Sequence, residues 1–406
     1  MKILILTQYC PPEVGAPQNR LFELAKQLKK LGHEVSFLTA LPNYPVGEIF
    51  PEYRDKGIVE EEIDGIRIVR TSIYATKDKA FVKRLRNYLS FTFSSVFQGA
   101  KYFENQDVIL TESPPLFLGW SGYVLSKRKK AKFVFNISDL WPESAVKLGV
   151  LNNKMFIKMS TWLEEFCYRK AAAITGQTKG IVDNITGRGF DKNKIHLITN
   201  GVDLTLFNKN LRDDNFRKEI GIENKFALCY AGIHGIAQGL EVIIEAEELV
   251  KGNKDIQIVF IGDGPEKEKL INLTKEKNLT NITFLPVQTK KNMPKIIASM
   301  DSTIIPLKKL ELFKGALPSK MFEALASELP IILAVEGEAE ELINNAKAGI
   351  TVEPENPKAI ADAILKLYND KDLREQLGEN GRNYAAEHYS REAIAKKLEG
   401  ILINLK

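Results

Sequence analysis

The segment FALCYAGIHGIAQGLEVIIEA, residues 226–246, decides the fold. Six apolar residues read as a strand buried on both faces, the glycine-rich residues after them as a loop, and the next apolar run as a helix. Downstream the alternation continues, with strands expected at 257–262, 282–286, 303–306, 331–335 and 350–352. An earlier series begins at the N-terminus, with strands at 3–7, 35–41, 66–73, 108–111, 133–137, 172–175 and 195–199. Helical patterns lie between several of them, such as 18–31, with Leu21, Leu24, Ala25, Leu28 and Leu31 on one face. Strand and helix in turn imply parallel sheets with right-handed crossovers, and hence an α/β chain of two doubly wound domains. Such domains bind ligands beyond the C-terminal ends of their strands, so the crevice between them is the expected site. The polar segment 203–224 reads as a linker, dividing the chain into 1–202 and 203–389, and the last helices, about 370–387 and 391–405, have no following strand.

The length of 406 residues suits two domains of roughly 200 residues each. With 44% hydrophobic and 27% charged residues, the composition is that of a globular protein, neither disordered nor fibrous. Cys10, Cys167 and Cys229 lie far apart, with no CxxC and only four histidines, which argues against a zinc site or a disulfide framework and for a reducing compartment. No apolar run approaches the roughly 18 residues of a spanning helix, and the apolar start is too short for a signal peptide. A cytoplasmic protein is expected. The net charge of +5 is uneven: residues 1–200 hold 29 Lys and Arg against 20 Asp and Glu, or +9, and the remainder 28 against 32, or −4. The basic half points to an anionic partner (lipid headgroups, a phosphorylated acceptor or nucleic acid), or else reflects ordinary surface lysines.

Three strand-to-helix passages carry candidate chemistry. After the first strand comes TQYCPPEVGA, residues 7–16, where Gly15 and Ala16 would let backbone amides approach an anion at a helix start. Arg20, in the first turn of that helix, opposes its dipole, a conflict that a bound phosphate or carboxylate would remove. Gly232 and Gly235 form the matching loop of the second series, with His234 able to donate to a phosphate oxygen. In PSKMFEAL, residues 318–325, Ser319 reads as an N-cap, which puts the cation of Lys320 in the first helical turn. That placement costs up to about 1 kcal/mol unless something negative compensates. Lys320 with free amides would make a site for a leaving diphosphate, and Glu323, about one turn further, would accept from ribose hydroxyls. The plainer readings are a simple βα loop, a polar surface histidine and a solvated Lys–Glu pair.

Gly262 and Gly264 form a tight turn after a buried strand and, with Pro286, would line a nucleotide pocket. In the first series, Asn136 and Asp139 of NISDLWPE and Glu112 of TESPP follow strands where an acceptor should sit, although either could be a capped loop. Residues 77–103 combine Lys77, Lys79, Lys83, Arg84, Arg86 and Lys101 with Phe81, Tyr88, Phe91, Phe93, Phe97, Tyr102 and Phe103. This suits either a headgroup interface or a core helix with a basic start. Glu60-Glu61-Glu62 reads as a solvated acidic edge. The sequence is read as having no DxD motif, hence no obvious acidic pair to hold Mg²⁺ or Mn²⁺ against a diphosphate, so lysine, helix termini and glycine loops would neutralise the leaving group.

These motifs together resemble family 4 of the retaining glycosyltransferases, over nearly the whole chain. The most specific pieces are PPEVGA with Arg20, Gly32-His33-Glu34-Val35, Asn200-Gly201-Val202-Asp203, Ile261-Gly262-Asp263-Gly264-Pro265 and PSKMFEALA at 318–326. DLWPES at 139–144 and AQGLE at 237–241 are similar to the branch with fucosamine-type transferases of surface-polysaccharide assembly. The resemblance implies the GT-B fold, two Rossmann-like domains with the helix 390–406 packing back on the first. It also implies acceptor binding in the first domain, donor binding in the second, Glu323 on the donor ribose, and a front-face retaining route without a protein nucleophile. The family's usual arginine and lysine on the diphosphate fall at Ile233 and Gln238, and its first paired glutamate at Gly315; Lys320 replaces the missing charge.

The expected activity is metal-independent transfer of a sugar, N-acetylated or not, from a UDP-sugar to a lipid-linked or saccharide acceptor. No cofactor and no nucleic acid are expected, and work is placed at the inner face of the cell membrane through 77–103. Lys320 and Asp139 are the expected catalytic pair, with Arg20, Glu112 and Asn136 beside Asp139 on the acceptor. The alternatives are an inactive nucleotide-binding scaffold and a nucleotide-sugar 2-epimerase.

Overall fold

The aliphatic and β-branched runs form two separate sheets. The computed structural model describes residues 1–13, 16–78, 80–147 and 151–405, with only the backbone at 16, 17, 147 and 312. Gly15 and Lys79 thus lie outside the described residues. The chain divides into two units, one of residues 1–200 with the residues from Ile394 on, the other Gly201–Ala393.

In the first unit the order is β1 (Lys2–Leu6), α1 (Ala16–Lys30), β2 (Glu34–Ala40), β3 (Val59–Ile63), β4 (Ile66–Thr71), α2 (Phe81–Phe97) and β5 (Val108–Ser113). Then come α3 (Leu118–Arg128), β6 (Lys132–Ile137), α4 (Glu143–Lys147), α5 (Lys154–Lys170), β7 (Ala173–Gly176), α6 (Lys179–Gly187) and β8 (Ile195–Leu197). The sheet order is β3-β4-β2-β1-β5-β6-β7-β8. All pairs are parallel except β3 with β4. Because strand side chains alternate, Ile3 and Ile5 face Leu21 and Leu28 of α1 together with Ile394, Ala395, Leu398 and Leu402. Leu4 and Leu6 face the other way, toward Phe91 of α2 and Leu118 and Leu125 of α3. Each such side chain fully buried is worth about 1.5–3 kcal/mol, which explains strands apolar on both faces.

The sequence reading missed β3. Asp64 and Gly65 both have positive φ, 50° and 71°, as a two-residue hairpin turn requires. The Asp-Gly pair was the available signal. Glu60 lies exposed against Arg67 at 2.7 Å, but Glu61 pairs with the fully buried Arg70 at 2.5 Å, so the acidic run is a pleated edge strand, not simply solvated.

The second unit contains α7 (Asp214–Glu219), β9 (Phe226–Ala231), α8 (Glu241–Val250), β10 (Ile256–Ile261), α9 (Lys267–Glu276), β11 (Ile282–Leu285) and α10 (Met293–Ala298). It continues with β12 (Ser302–Pro306), α11 (Ser319–Ala326), β13 (Ile331–Ala334), α12 (Glu338–Ala346), β14 (Gly349–Thr351), α13 (Pro357–Asn369) and α14 (Lys371–His388); the last helix of the chain is α15 (Arg391–Ile403). The sheet is all parallel, in the order β11-β10-β9-β12-β13-β14. From β9, Ala227 and Cys229 pack with Met321, Phe322 and Leu325 of α11, whereas Leu228 and Tyr230 pack with Ile243 and Ile244 of α8 and Ile360 and Ile364 of α13.

Residues 203–224 are not an open linker. Phe207 and Ile222 are buried in the core of the second unit, and buried Arg217 donates to the carbonyls of Ser299 (2.7 Å), Ile222 (2.9 Å) and Lys225 (2.6 Å). Val202 belongs there too, donating its N–H to Tyr389 O at 2.8 Å, so the division falls after Asn200.

Candidate active site

In each unit the strand order reverses beside the first strand, between β1 and β5 and between β9 and β12, and the C-terminal ends there are where ligands are bound in such sheets. In the second unit β9 ends on Tyr230 and Ala231 and opens into Gly232. Lys320 starts on α11, whose apolar face packs with Cys229, yet its Nζ lies 4.0 Å from the ring centroid of Tyr230, which belongs to the opposite face. Gly232 provides the passage, since a Cβ there would stand 2.6 Å from Lys320 Nζ. Among the described residues no carboxylate forms an ion pair with this ammonium, although Glu323 on the same helix favours its charged form. Burial pulls its pKa down to about 8, against the opposing influence of Glu323 and Cys229. Glu323 is half-buried, and burial raises its carboxyl pKa while Lys320, Arg391 and Lys290 oppose the rise.

Ser319 is not the N-cap. Pro318 holds that position without a side-chain cap, and Ser319 is the first helical residue, exposed. No side chain caps the first turn of α11, although Met321 N–H donates to Pro318 O at 3.0 Å. His234 is not a surface histidine: it is fully buried against Tyr230 and Phe260, neither ring nitrogen has a partner, and burial lowers its pKa to about 4. In this structure the imidazole is enclosed, with neither ring nitrogen exposed to meet a phosphate. Gly262 and Gly264 serve packing. At φ +133° and +158°, added Cβ atoms would stand 2.1 Å from Gly232 O and 2.4 Å from His234 O, so the loops after β9 and β10 interlock backbone to backbone. His234 N–H donates to Asp263 O (2.8 Å) and Glu266 N–H to His234 O (2.9 Å), completing the lock. Gly235 precedes a short 3-10 turn at Ile236–Gln238, and Pro286 is exposed just past β11.

In the first unit the structure gathers Arg20, Glu112 and Asn136. Arg20 Nη2 donates to Glu112 Oε1 at 2.6 Å and to Ser138 Oγ at 2.8 Å. Asn136 Nδ2 and Ser138 Oγ also donate to Glu112, and Thr175 Oγ1 donates to Asn136 Oδ1 at 2.6 Å. Gln177 faces Arg20 with its amide oxygen, the orientation the hydrogen-bond network requires. Arg20 is the fifth residue of α1, not in its first turn, and the carboxylate answering its conflict with the dipole is the chain's own Glu112, only 2% exposed. Asp139 stands apart, exposed beyond β6, accepting from Ser144 Oγ at 2.8 Å.

Several site-forming residues were not singled out in the sequence. Glu13 is buried and accepts the N–H groups of Cys10 (3.0 Å), Asn43 (2.8 Å) and Tyr44 (2.8 Å), fixing the loop after β1. Its presence inside PPEVGA was the only signal. Tyr230, the one polar-tipped side chain in FALCYA, is another, as are Ser138, Thr175 and Gln177 of the Arg20 cluster. The chain does contain one Asp-x-Asp spacing, Asp370-Lys371-Asp372, but Asp370 caps α14 through Leu373 N–H at 2.9 Å. Among the described residues no cluster of three or more His, Cys, Asp or Glu is placed to hold a metal ion.

Residues 15–201 match the glycosyl transferase 4-like domain, and residues 211–384 match the glycosyl transferases group 1. The chain is a GT-B glycosyltransferase. This glycosyltransferase is 25% identical over 378 residues to WcaI of Escherichia coli (strain K12), which carries the name of a colanic acid biosynthesis glycosyl transferase, with 90% of this chain and 91% of that one covered. Among solved structures it is similar to sucrose-phosphate synthase from Thermosynechococcus elongatus (TM-score 0.71, 19% identity, 99% and 98% of the two chains). It is likewise similar to Anabaena HepE in complex with UDP (TM-score 0.73, 15% identity, 100% of both chains). These named glycosyltransferases do not favour the scaffold and 2-epimerase alternatives. No described helix of the glycosyltransferase is long and apolar enough to cross a membrane.

Proposed function

We propose that the second unit binds a UDP-sugar and the first a lipid-linked or saccharide acceptor, and that the enzyme transfers the sugar with retention and without a metal in polysaccharide or glycolipid assembly. The observation that carries this reading is a desolvated ammonium, Lys320, in ion-pair contact with no carboxylate of the described residues, beside a glycine loop and a helix start without a side-chain cap. Such a site gains most from a multiply charged anion, and a diphosphate is the leaving group it would stabilise. Glu323, one turn on, is placed to accept from ribose hydroxyls. On the first unit, exposed Asp139 would orient the acceptor, with the Arg20–Glu112 cluster holding the strand ends beneath it. HepE in complex with UDP supports the choice of base, and WcaI the polysaccharide setting. The test is calorimetric titration with UDP, GDP and ADP in EDTA. Tight binding of UDP, weakened at least tenfold in Lys320→Ala, is the expected outcome. Unchanged binding in that variant would sink the donor site.

The partner at the first unit is proposed to be an anionic lipid surface. On α2, Val82 (73% exposed), Phe93 and Phe97 point outward while Phe91 is core, so the helix combines both sequence readings of 77–103. The sequence reading overlooked α5, where Met155 (82% exposed), Met159 and Trp162 form an outward stripe beside Lys154 and Lys158. Phe81 and Phe156 join the two helices edge to face, with centroids 4.9 Å apart. Apolar side chains among lysines, on the basic part of the chain, suit a headgroup layer. Co-sedimentation with phosphatidylglycerol vesicles, but not with phosphatidylcholine, is expected, and is to be lost when Met155, Met159 and Trp162 are changed to Ser. Self-association without vesicle binding would overturn this assignment.

A further inference from the structure

We infer that Tyr230 is the positioning residue of the donor site, holding the Lys320 ammonium on its ring face and the glycine loop by its hydroxyl. The inference rests on the reading of Lys320 as the diphosphate ligand, and adds what fixes that cation before a ligand arrives.

The geometry gives the tyrosine two distinct jobs. Its ring lies 4.0 Å below Lys320 Nζ, well within the range of a cation–π contact. Its Oη donates to Ile233 O at 2.6 Å, inside the loop that follows β9. The residue is fully buried, so neither contact is a passing surface encounter. One rigid side chain thus links the charge that would meet the phosphates to the backbone amides that would surround them. A free lysine side chain has four rotatable bonds and would lose that freedom on binding; a ring that holds the ammonium in advance removes part of this cost. A carboxylate could hold it too, but would neutralise the charge the ligand needs. The ring attracts a cation without cancelling it.

The other groups around the ammonium are Glu323 on the same helix, Cys229 on β9 and the neutral His234 in the loop. Within this set the ring favours the charged form of Lys320, whereas the phenol hydroxyl acts on the loop alone. Two variants of the full chain separate these effects in UDP titrations from pH 6 to 9.5. Tyr230→Phe keeps the ring, so affinity falls about three- to tenfold with the midpoint of its alkaline loss unchanged. Tyr230→Leu removes the ring, so affinity falls and the midpoint moves down by about half a pH unit or more. In a Lys320→Ala background the Leu change should have little further effect, because its target is gone. Thermal melting of each variant checks the fold, and the Phe variant, which opens no cavity, remains informative if the Leu variant melts early. Unchanged affinity and midpoint in both variants, or equal losses with and without Lys320, would overturn the inference while leaving the donor site standing. If Lys320→Ala itself binds UDP normally, the donor reading fails and this inference with it.

Discussion

The two units each carry a cation near the ends of their central strands, and they treat it in opposite ways. Arg20 of the first unit is held by Glu112, Ser138 and Gln177, so its charge is spent inside the protein. Lys320 of the second unit lies over an aromatic ring and in no ion pair among the described residues, with Glu323 only nearby on the same helix. The first arrangement is a finished polar network, worth more intact than its pairs suggest and costly to break. The second is an unfinished one, which the anionic ligand proposed above would complete. A similar sheet topology therefore supports an internal brace in one unit and, on the reading proposed above, an anion site in the other.

This contrast predicts opposite signs for similar mutations. Glu112→Gln should destabilise most, by about 2–4 kcal/mol in urea unfolding, because it leaves the Arg20 guanidinium enclosed without its carboxylate. Lys320→Met should do the reverse, adding on the order of 1–2 kcal/mol at pH 7 while abolishing nucleotide binding. A lysine pKa of about 8 in the fold against 10.5 in the unfolded chain means the unfolded state binds more protons between those values. Wild-type stability should accordingly rise from pH 8 toward pH 10 relative to the Met variant. If Lys320→Met proves as destabilising as Glu112→Gln, the contrast is wrong.

Two further changes sharpen it with charges that belong to neither site. Glu247 of α8 is fully buried, and burial raises its pKa to about 7 against the opposing influence of Asn281 and Lys251. A raised carboxyl pKa favours the fold at low pH, and that contribution is lost as pH rises from 4.5 through 7. Glu247→Gln should thus be neutral at pH 5 and stabilising by roughly 1 kcal/mol at pH 8, with nucleotide affinity unaltered. Arg67→Ala removes an exposed pair with Glu60 and should shift stability by no more than about 0.5 kcal/mol, diminishing further in salt.

Periodicity revealed the strands of both sheets except β3, whose three glutamates masked a pleated edge with Arg67 and Arg70 as cross-strand partners. Arg20, Glu112 and Asn136 of the first-unit cluster were recognised, but their mutual neutralisation was not, because Arg20 and Glu112 lie 92 positions apart and no local pattern couples them. Lys320 was legible because a lysine opening a helix contradicts the dipole within a few residues. Its neighbours were less so. His234 looked like loop surface until the interlocking loops enclosed it, and Tyr230 looked like ordinary core. Ser319 illustrates a finer limit: a capping residue type at a helix start does not choose between the cap and the first turn when proline precedes it.

The interlock of Gly262 and Gly264 with the loop after β9 has a consequence for how the sequence can change in length. Because each loop fills the space against the other's backbone, a residue inserted between 232 and 235 would have to displace 262–265 as well. Insertions and deletions there must occur in matched pairs or not at all. The turn between α8 and β10, by contrast, has exposed residues at Lys251, Gly252 and Lys254, and is free to lengthen on its own. Engineered additions to this enzyme, such as a tag or a reporter loop, belong at that turn, which leads into the N-terminal end of β10.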